Sequence, residues 1–228
     1  MKKPVISPSI LSADFSQLGK VIRTTSETAA EYIHIDVMDG CFVPNLTIGP
    51  CVISSIRRYT NKVFDVHLMI EEPIRYIDDY VKAGADIITV HYEACSDLKA
   101  TLKKIRAAGV RAGLSVKPRT DVSAIRPYLR YTDMILIMTV EPGFGGQSFI
   151  YDTIENIKTA KRMTARLKRR IPIEVDGGIT PDTIGEAARA GAEIFVAGSA
   201  VYKAKNISAA VDDLLFRAGS AYGTKSVH

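Results

Sequence analysis

The sequence has few of the features that mark secreted or membrane proteins. Its three cysteines, Cys41, Cys51 and Cys95, are odd in number and form no CxxC pair, which indicates reduced thiols rather than a disulfide framework. Its apolar runs are far shorter than the roughly 20 residues needed to span a bilayer. The first ten residues lack the long apolar segment of a signal peptide. We therefore expect a cytoplasmic protein that does not bind a membrane.

Two motifs are also missing, and their absence narrows the enzyme classes. No GxGxxG turn follows the first apolar run, which reads SPSILSADF, so an open doubly wound dinucleotide-binding sheet is disfavoured. No GxSxG motif is present and no cysteine lies beside a suitable base, so covalent hydrolysis has little support.

The positive charge is modest, with a formal net charge of +5. The densest basic stretch is KRMTARLKRR, residues 161–170. No aromatic residues interleave with it, so we interpret it as a solvated helix face and expect no nucleic-acid partner. A mildly basic chain also suits a small anionic substrate.

Short apolar runs alternate with stretches of helical period along the chain. Strands are predicted at residues 5–10, 32–38, 63–70, 86–92, 111–116, 134–140, 171–177 and 193–199. Helices are predicted at 96–109, capped by Ser96, at 180–191, with Thr180 as cap and Pro181 in the first position, and at 207–219. Eight strand-then-helix units predict an α/β protein of one domain, a (β/α)8 TIM barrel over residues 1–219, with a loosely ordered tail at 220–228.

Polar residues fall where the predicted strands end, which is where such barrels carry their chemistry. His34 and Asp36 lie two residues apart in the second strand and therefore share one face. His67 lies on the third strand and Asp176 ends the seventh. We expect these four to converge on one divalent metal ion, since two imidazoles and two carboxylates suit zinc, iron(II), manganese or cobalt. A buried carboxylate without a cation would also be costly.

Glycines after three neighbouring strands form a second group. The stretches are EPGFGGQSF (141–149), DGGIT (176–180) and AGSAVY (197–202). Loops after the seventh and eighth strands of a barrel commonly bind phosphate through backbone amides, so we expect a phosphorylated substrate here. The first stretch could serve as a lid or be an ordinary long loop.

Two further sets of residues allow more than one interpretation. Met38, Met69 and Met138 also end strands and could surround a reacting carbon, although core filling is the simpler reading. His91, in the stretch VHYE, could line the pocket edge or be a hydrogen-bonded core histidine.

With these residues placed, the chain resembles the ribulose-phosphate 3-epimerase family of the ribulose-phosphate-binding barrel superfamily. The likeness runs through ISPSILSADF, HIDVMDGCFVPNLTIGP, DVHLMIEEP, MTVEPGFGGQSF, EVDGGI and AGSAVY. Small departures are a Glu before the Pro in VEPGFGG, where many bacterial members have Asn, and Arg119 in the VKPRTDV loop.

The resemblance implies specific roles. Asp36 and Asp176 would be the catalytic acid/base pair, and the metal ligands would be His34, Asp36, His67 and Asp176, with zinc or iron(II) favoured over manganese or cobalt. The substrate-binding residues would be Ser9, His67, Gly143, Phe144, Gly145, Gly146, Gly177, Gly178, Gly198 and Ser199. The implied reaction interconverts D-ribulose 5-phosphate and D-xylulose 5-phosphate by removal and return of a proton at C3 through a cis-enediolate. We also expect a homo-oligomer.

Three alternatives stay open at this point. A sister enzyme with the same ligands would epimerise a six-carbon ketose phosphate such as D-allulose 6-phosphate. A lyase of the same superfamily would place a lysine among the acids, and no lysine follows Asp36 at a matching position. A scaffold protein without turnover would lack at least one acid or ligand, and none is missing.

Overall fold

In the computed structural model, which describes residues 3–223, eight strands alternate with helices. The strands are β1 (Val5–Pro8), β2 (Tyr32–Met38), β3 (Val63–Met69), β4 (Ile87–His91), β5 (Arg111–Val116), β6 (Met134–Met138), β7 (Ile173–Asp176) and β8 (Ile194–Ala197). The helices are α1 (Leu18–Ser26), α2 (Pro50–Arg57), α3 (Ile77–Lys82), α4 (Leu98–Ala107), α5 (Thr153–Thr164), α6 (Ile184–Ala190), α7 (Ser199–Tyr202) and α8 (Ile207–Gly223). A 3₁₀ helix, Val122–Tyr131, takes the place of an α-helix between β5 and β6.

The strands form one parallel sheet that closes on itself. Their order is β1-β8-β7-β6-β5-β4-β3-β2, and a parallel bridge between Ser9 and His34 joins the two ends of this series. The predicted (β/α)8 barrel is therefore confirmed. Because every strand is parallel, all carboxyl ends meet at one rim of the barrel, and this places the polar strand ends side by side.

The strands are buried on both faces, which explains why they read as nearly continuous apolar runs. The outward-facing side chains, such as Ile33, Ile35 and Val37 of β2, pack with the helices in the main hydrophobic cluster. The inward-facing side chains fill the barrel in layers. Ile87, Met134 and Ile194 form an apolar layer near the amino ends of the strands. Above them lies a fully buried polar layer that contains Ser7, His34, Asp65, Thr89, Ser115 and Glu174.

Two predicted helix starts were wrong. Helix α4 is capped by Asp97, whose carboxylate accepts from the Ala100 amide, because Ser96 instead donates its amide and hydroxyl to Glu72. Helix α6 begins at Ile184 rather than after Thr180. The Thr183 hydroxyl bonds the Gly178 carbonyl and the Thr180 amide, which holds this segment as a turn.

The C-terminal boundary also differs from the prediction. Helix α8 continues to Gly223, so residues 220–223 are helical rather than part of a loose tail. Residues 224–228, the remainder of the predicted tail, lie outside the described residues. Among the helices that the structure describes, none combines the length and the apolar character required to cross a membrane.

Candidate active site

The four side chains predicted to bind a metal meet at the carboxyl rim of the barrel. In the parallel register Asp36 of β2 lies opposite His67 of β3. Asp36 Oδ1 is 3.3 Å from His34 Nε2 and 3.2 Å from His67 Nδ1. Asp176 Oδ2 is 3.7 Å and 3.6 Å from the same two nitrogens. One ligand atom from each of the four residues lies within 4.8 Å of the others.

The residues of this cluster fit a divalent metal ion. His34 Nε2 is buried and has no hydrogen-bond partner within the described part of the chain, although it faces two carboxylates. Burial would lower the pKa of both imidazoles, but the surrounding carboxylates outweigh burial and raise it. Burial would likewise raise the pKa of Asp36, and the two imidazoles nevertheless lower it. The cluster thus favours a cation between ionised acids, and its nitrogen and oxygen donors suit zinc or iron(II).

A further carboxylate stands behind His34, one of the predicted metal ligands. Asp65 Oδ2 lies 2.7 Å from His34 Nδ1, and both groups are fully buried. With a cation bound at Nε2, this contact would hold the ring proton on Nδ1. Glu174 lies beside both groups, with Oε1 4.0 Å from His34 Nδ1, and burial together with the Asp65 charge raises the pKa of Glu174 well above its usual value.

His91 is a core histidine rather than part of the pocket wall. It is fully buried, and its Nε2 lies 2.8 Å from Nε2 of the predicted ligand His67. Phe42 packs on its ring at a centroid distance of 4.8 Å. Burial lowers the pKa of His91 to about 4. Through this contact with His67, His91 adjoins the cluster of four predicted ligands.

The cluster forms the floor of a pocket of about 380 Å³. Most of the predicted site residues line it, and so do the three methionines: Ser9, Asp36, Met38, Met69, Met138, Gly143, Phe144, Gly145, Gly146, Asp176, Gly177, Gly178, Gly198 and Ser199. His34 and His67 are fully buried beneath this lining. No lysine or arginine of residues 3–223 lines the pocket, so an anion in it would meet backbone amides and hydroxyl groups.

Two positions on the pocket wall can be occupied only by glycine, because of their backbone conformation and their close neighbours. Gly178 has φ +65°, and a Cβ there would lie 2.4 Å from the Phe149 amide nitrogen. Gly177 has φ +108°, and a Cβ there would lie 2.2 Å from a methyl of Val140. Both features explain why the stretch DGG follows β7, because only glycine combines positive φ with so close a neighbour.

The loop from residue 141 to residue 149 covers one side of the pocket. The Asn45 side-chain amide donates to the Gly143 carbonyl at 2.7 Å, and the Gln147 amide donates to the carbonyls of Glu141 and Phe144. The Phe144 side chain is 55% exposed. The loop is therefore held at its base while its aromatic tip faces solvent, a combination that suits a lid.

Sequence reasoning overlooked Asp65, Glu174 and Glu93. The signal for the first two was available, since Asp65 is two residues before His67 and Glu174 is two residues before Asp176. The same alternation that directs the ligands inward directs these acids inward as well. Glu93, whose Oε2 lies 3.4 Å from His91 Nδ1, follows β4 in a 3₁₀ turn, so no strand periodicity applied to it.

The fold and the site define an enzyme of the (β/α)8 barrel class, with histidines and aspartates that could hold a metal at the catalytic rim. Solved barrels support the fold. The crystal structure of KGPDC from Streptococcus mutans has a TM-score of 0.72 at 16% identity and covers 97% of this chain and 100% of its own.

Sequence comparison is more specific. Residues 5–202 match the model of the ribulose-phosphate 3 epimerase family. Ribulose-phosphate 3-epimerase of Bacillus subtilis (strain 168) is 48% identical over 92% of this chain and 97% of that protein. The chloroplastic ribulose-5-phosphate-3-epimerase of Arabidopsis thaliana is 46% identical over 91% of this chain and 74% of that protein. The chain belongs to the ribulose-phosphate 3-epimerase family.

Proposed function

We propose that this chain is an isomerase that interconverts D-ribulose 5-phosphate and D-xylulose 5-phosphate by inverting the carbon next to the ketone. The observation that carries this proposal is the pair Asp36 and Asp176. They come from β2 and β7, line the same pocket, and both contact the same two imidazoles. Inversion requires proton removal on one face and proton delivery on the other, which a single carboxylate cannot do.

His34, Asp36, His67 and Asp176 would hold a divalent ion, for which we propose zinc or iron(II). When bound, the ion supplies positive charge that stabilises the negative charge developing on the substrate oxygens beside C3. The chain itself contributes the ionised acids and the imidazole lone pairs.

The two aspartates exchange the proton at C3. One removes it from its own face of the sugar, the other delivers a proton to the opposite face, and the roles reverse in the reverse direction. Ser9 donates to Asp36 Oδ2 at 2.5 Å, which orients this oxygen while Oδ1 faces the imidazoles.

The glycine-rich loops would hold the rest of the substrate. We assign the phosphate to the amides of Gly177, Gly178, Gly198 and Ser199, and the cover over the sugar to residues 143–146. Helix α7 begins at Ser199 without a side-chain cap, and the first amides of a helix have no intrahelical partner. The absence of lysine and arginine from the described pocket lining agrees with binding by amides.

The other reactions fit the site less well. A lyase with a central lysine is disfavoured, because no described lysine lines the pocket. A six-carbon ketose phosphate would use the same ligands, but the curated relatives quoted above are named for the five-carbon sugar.

The decisive experiment is a coupled assay for D-xylulose 5-phosphate formation, run after removal of metal and again after its restoration. We expect turnover to disappear and return. Comparison of kcat/KM on D-ribulose 5-phosphate and D-allulose 6-phosphate tests the substrate, and a preference for the six-carbon sugar would contradict the proposal. A cytoplasmic location and a homo-oligomeric state stay predictions, for cell fractionation and light scattering to test.

A further inference from the structure

A series of polar contacts runs from His67 away from the pocket, through His91, to Glu93 in the 3₁₀ turn after β4. His67 presents Nδ1 to the two aspartates and Nε2 to His91 Nε2, 2.8 Å away. His91 in turn presents Nδ1 to Glu93 Oε2 at 3.4 Å. This approach is a charge contact and not a hydrogen bond, since His91 Nδ1 has no hydrogen-bond partner among residues 3–223. These contacts thus end on a carboxylate, with the His91 ring between it and the cluster.

The geometry admits two arrangements of ring protons. In a hydrogen bond between two Nε2 atoms one donates and the other accepts. If His91 carries its proton on Nδ1, it faces Glu93 with a donor and accepts from His67 at Nε2. The Nδ1 of His67 is then a free lone pair. In the reverse arrangement His67 Nδ1 would donate to Asp36 Oδ1, 3.2 Å away, and a lone pair of His91 would face the Glu93 carboxylate. Only the first arrangement leaves His67 Nδ1 able to bind a cation, and in it Glu93 accepts rather than repels.

The remaining contacts of Glu93 hold its carboxylate in place. Its Oε1 accepts from the Lys117 amide at 2.8 Å and from the Thr120 hydroxyl. Both donors lie in the loop after β5. Glu93 is therefore held as an acceptor, because a backbone amide can only donate, and its second oxygen is left to face His91.

We propose that His91 and Glu93 are positioning residues that hold His67 in the tautomer whose Nδ1 lone pair faces Asp36 and Asp176. The inference rests on the proposed function, because it assigns that lone pair to the metal. Asp65 has the same relation to His34 by direct contact. Both ligand imidazoles would thus be oriented by a carboxylate, one directly and one through a second imidazole.

The sharpest variant is Glu93→Gln. The amide oxygen would keep the donors Lys117 and Thr120, so the NH₂ group would face His91 and reverse both tautomers. The matched control is Glu72→Gln. Glu72 also accepts from a backbone amide and a hydroxyl, both of Ser96, but within residues 3–223 it forms no ion pair with an imidazole. It reproduces the exchange of a carboxylate for an amide at a loop anchor without a change behind His67.

The first measurement is zinc affinity by competition with a chromophoric chelator. Loss of a partner behind a metal ligand typically weakens binding by about 10–100-fold, and we expect this for Glu93→Gln. Glu72→Gln should bind as the unaltered protein does. Equal affinity in all three would overturn the inference and leave the proposed function standing. A wild-type protein that binds no zinc, iron(II), manganese or cobalt would overturn the metal site itself.

The second measurement needs no variant and so does not depend on variant folding. The chain has four histidines, so ¹⁵N spectra of histidine-labelled, zinc-loaded protein are simple to assign. We expect the proton of His91 on Nδ1 and that of His67 on Nε2. A His91 proton on Nε2 would overturn the inference.

Discussion

Replacement of Asp176 by Asn removes one of the two proposed acid/base groups and also alters one proposed metal ligand. The substitution keeps the size of the side chain and removes its ability to take a proton. Asp176 is more exposed than Asp36, with 14% against 4% of the side chain accessible, and it lies farther from both imidazoles. We therefore expect the variant to fold, with a stability change within about 1 kcal/mol.

The expected loss of turnover follows from the removal of one positioned acid/base. Such a loss is typically about 10²–10⁴-fold, or roughly 2.7–5.4 kcal/mol at 1.36 kcal/mol per factor of ten. The coupled epimerase assay measures it. Asp182→Asn is the matched control, since Asp182 is an exposed residue just beyond the same strand end and outside the cluster.

Exchange of the C3 proton in D₂O, followed by NMR, makes the test more specific. In Asp176→Asn, Asp36 can still remove a proton from one epimer and return deuterium to the same face. In this variant one of the two sugars should therefore exchange its C3 proton for deuterium without inversion. In Asp36→Asn the other sugar should do so. Near-normal turnover in either variant, or exchange of both sugars by the same variant, would refute the scheme of two opposed acids.

Three further outcomes are expected. Zinc at a hundred times its dissociation constant should stabilise the fold by about 2.7 kcal/mol, roughly 5–11 °C in Tm by differential scanning calorimetry. Gly178→Ala should lose about 1–3 kcal/mol of stability from its positive φ and raise KM more than kcat falls, because its Cβ would meet the Phe149 backbone. Burial raises the pKa of Cys95 to about 12, so iodoacetamide at pH 8 should alkylate the exposed Cys41 and Cys51 and spare Cys95.

Each of these has its own control. A chelator should return the Tm to that of the metal-free protein, and a Tm unaffected by zinc would argue against a site formed in the native state. Gly109→Ala shares the positive φ of +85° but meets no atom within 4 Å, so it should lose stability and keep KM. Rapid alkylation of Cys95 in native protein, seen by peptide mass spectrometry, would contradict its burial.

The positions of the strands and the faces on which their side chains lie were predictable, because both depend on the local periodicity of the sequence. A strand alternates its side chains every residue, so HIDVM already places His34 and Asp36 on one face and Ile35 and Val37 on the other. The glycines after β7 could be anticipated for the same reason, since a tight turn near an anion demands positive φ. The helix starts could not, because Ser96 and Thr183 each bond a partner outside their own helix.

Local sequence thus determined the barrel, the inward direction of the four proposed ligands and the glycine loops. Only the tertiary structure decided which nitrogen of each imidazole faces the acids, and that Asp65, His91 and Glu93 stand behind them. Those relations depend on the register between strands that are distant in the chain. Register arises from packing of the whole ring, because a closed barrel must satisfy all eight strand pairings at once.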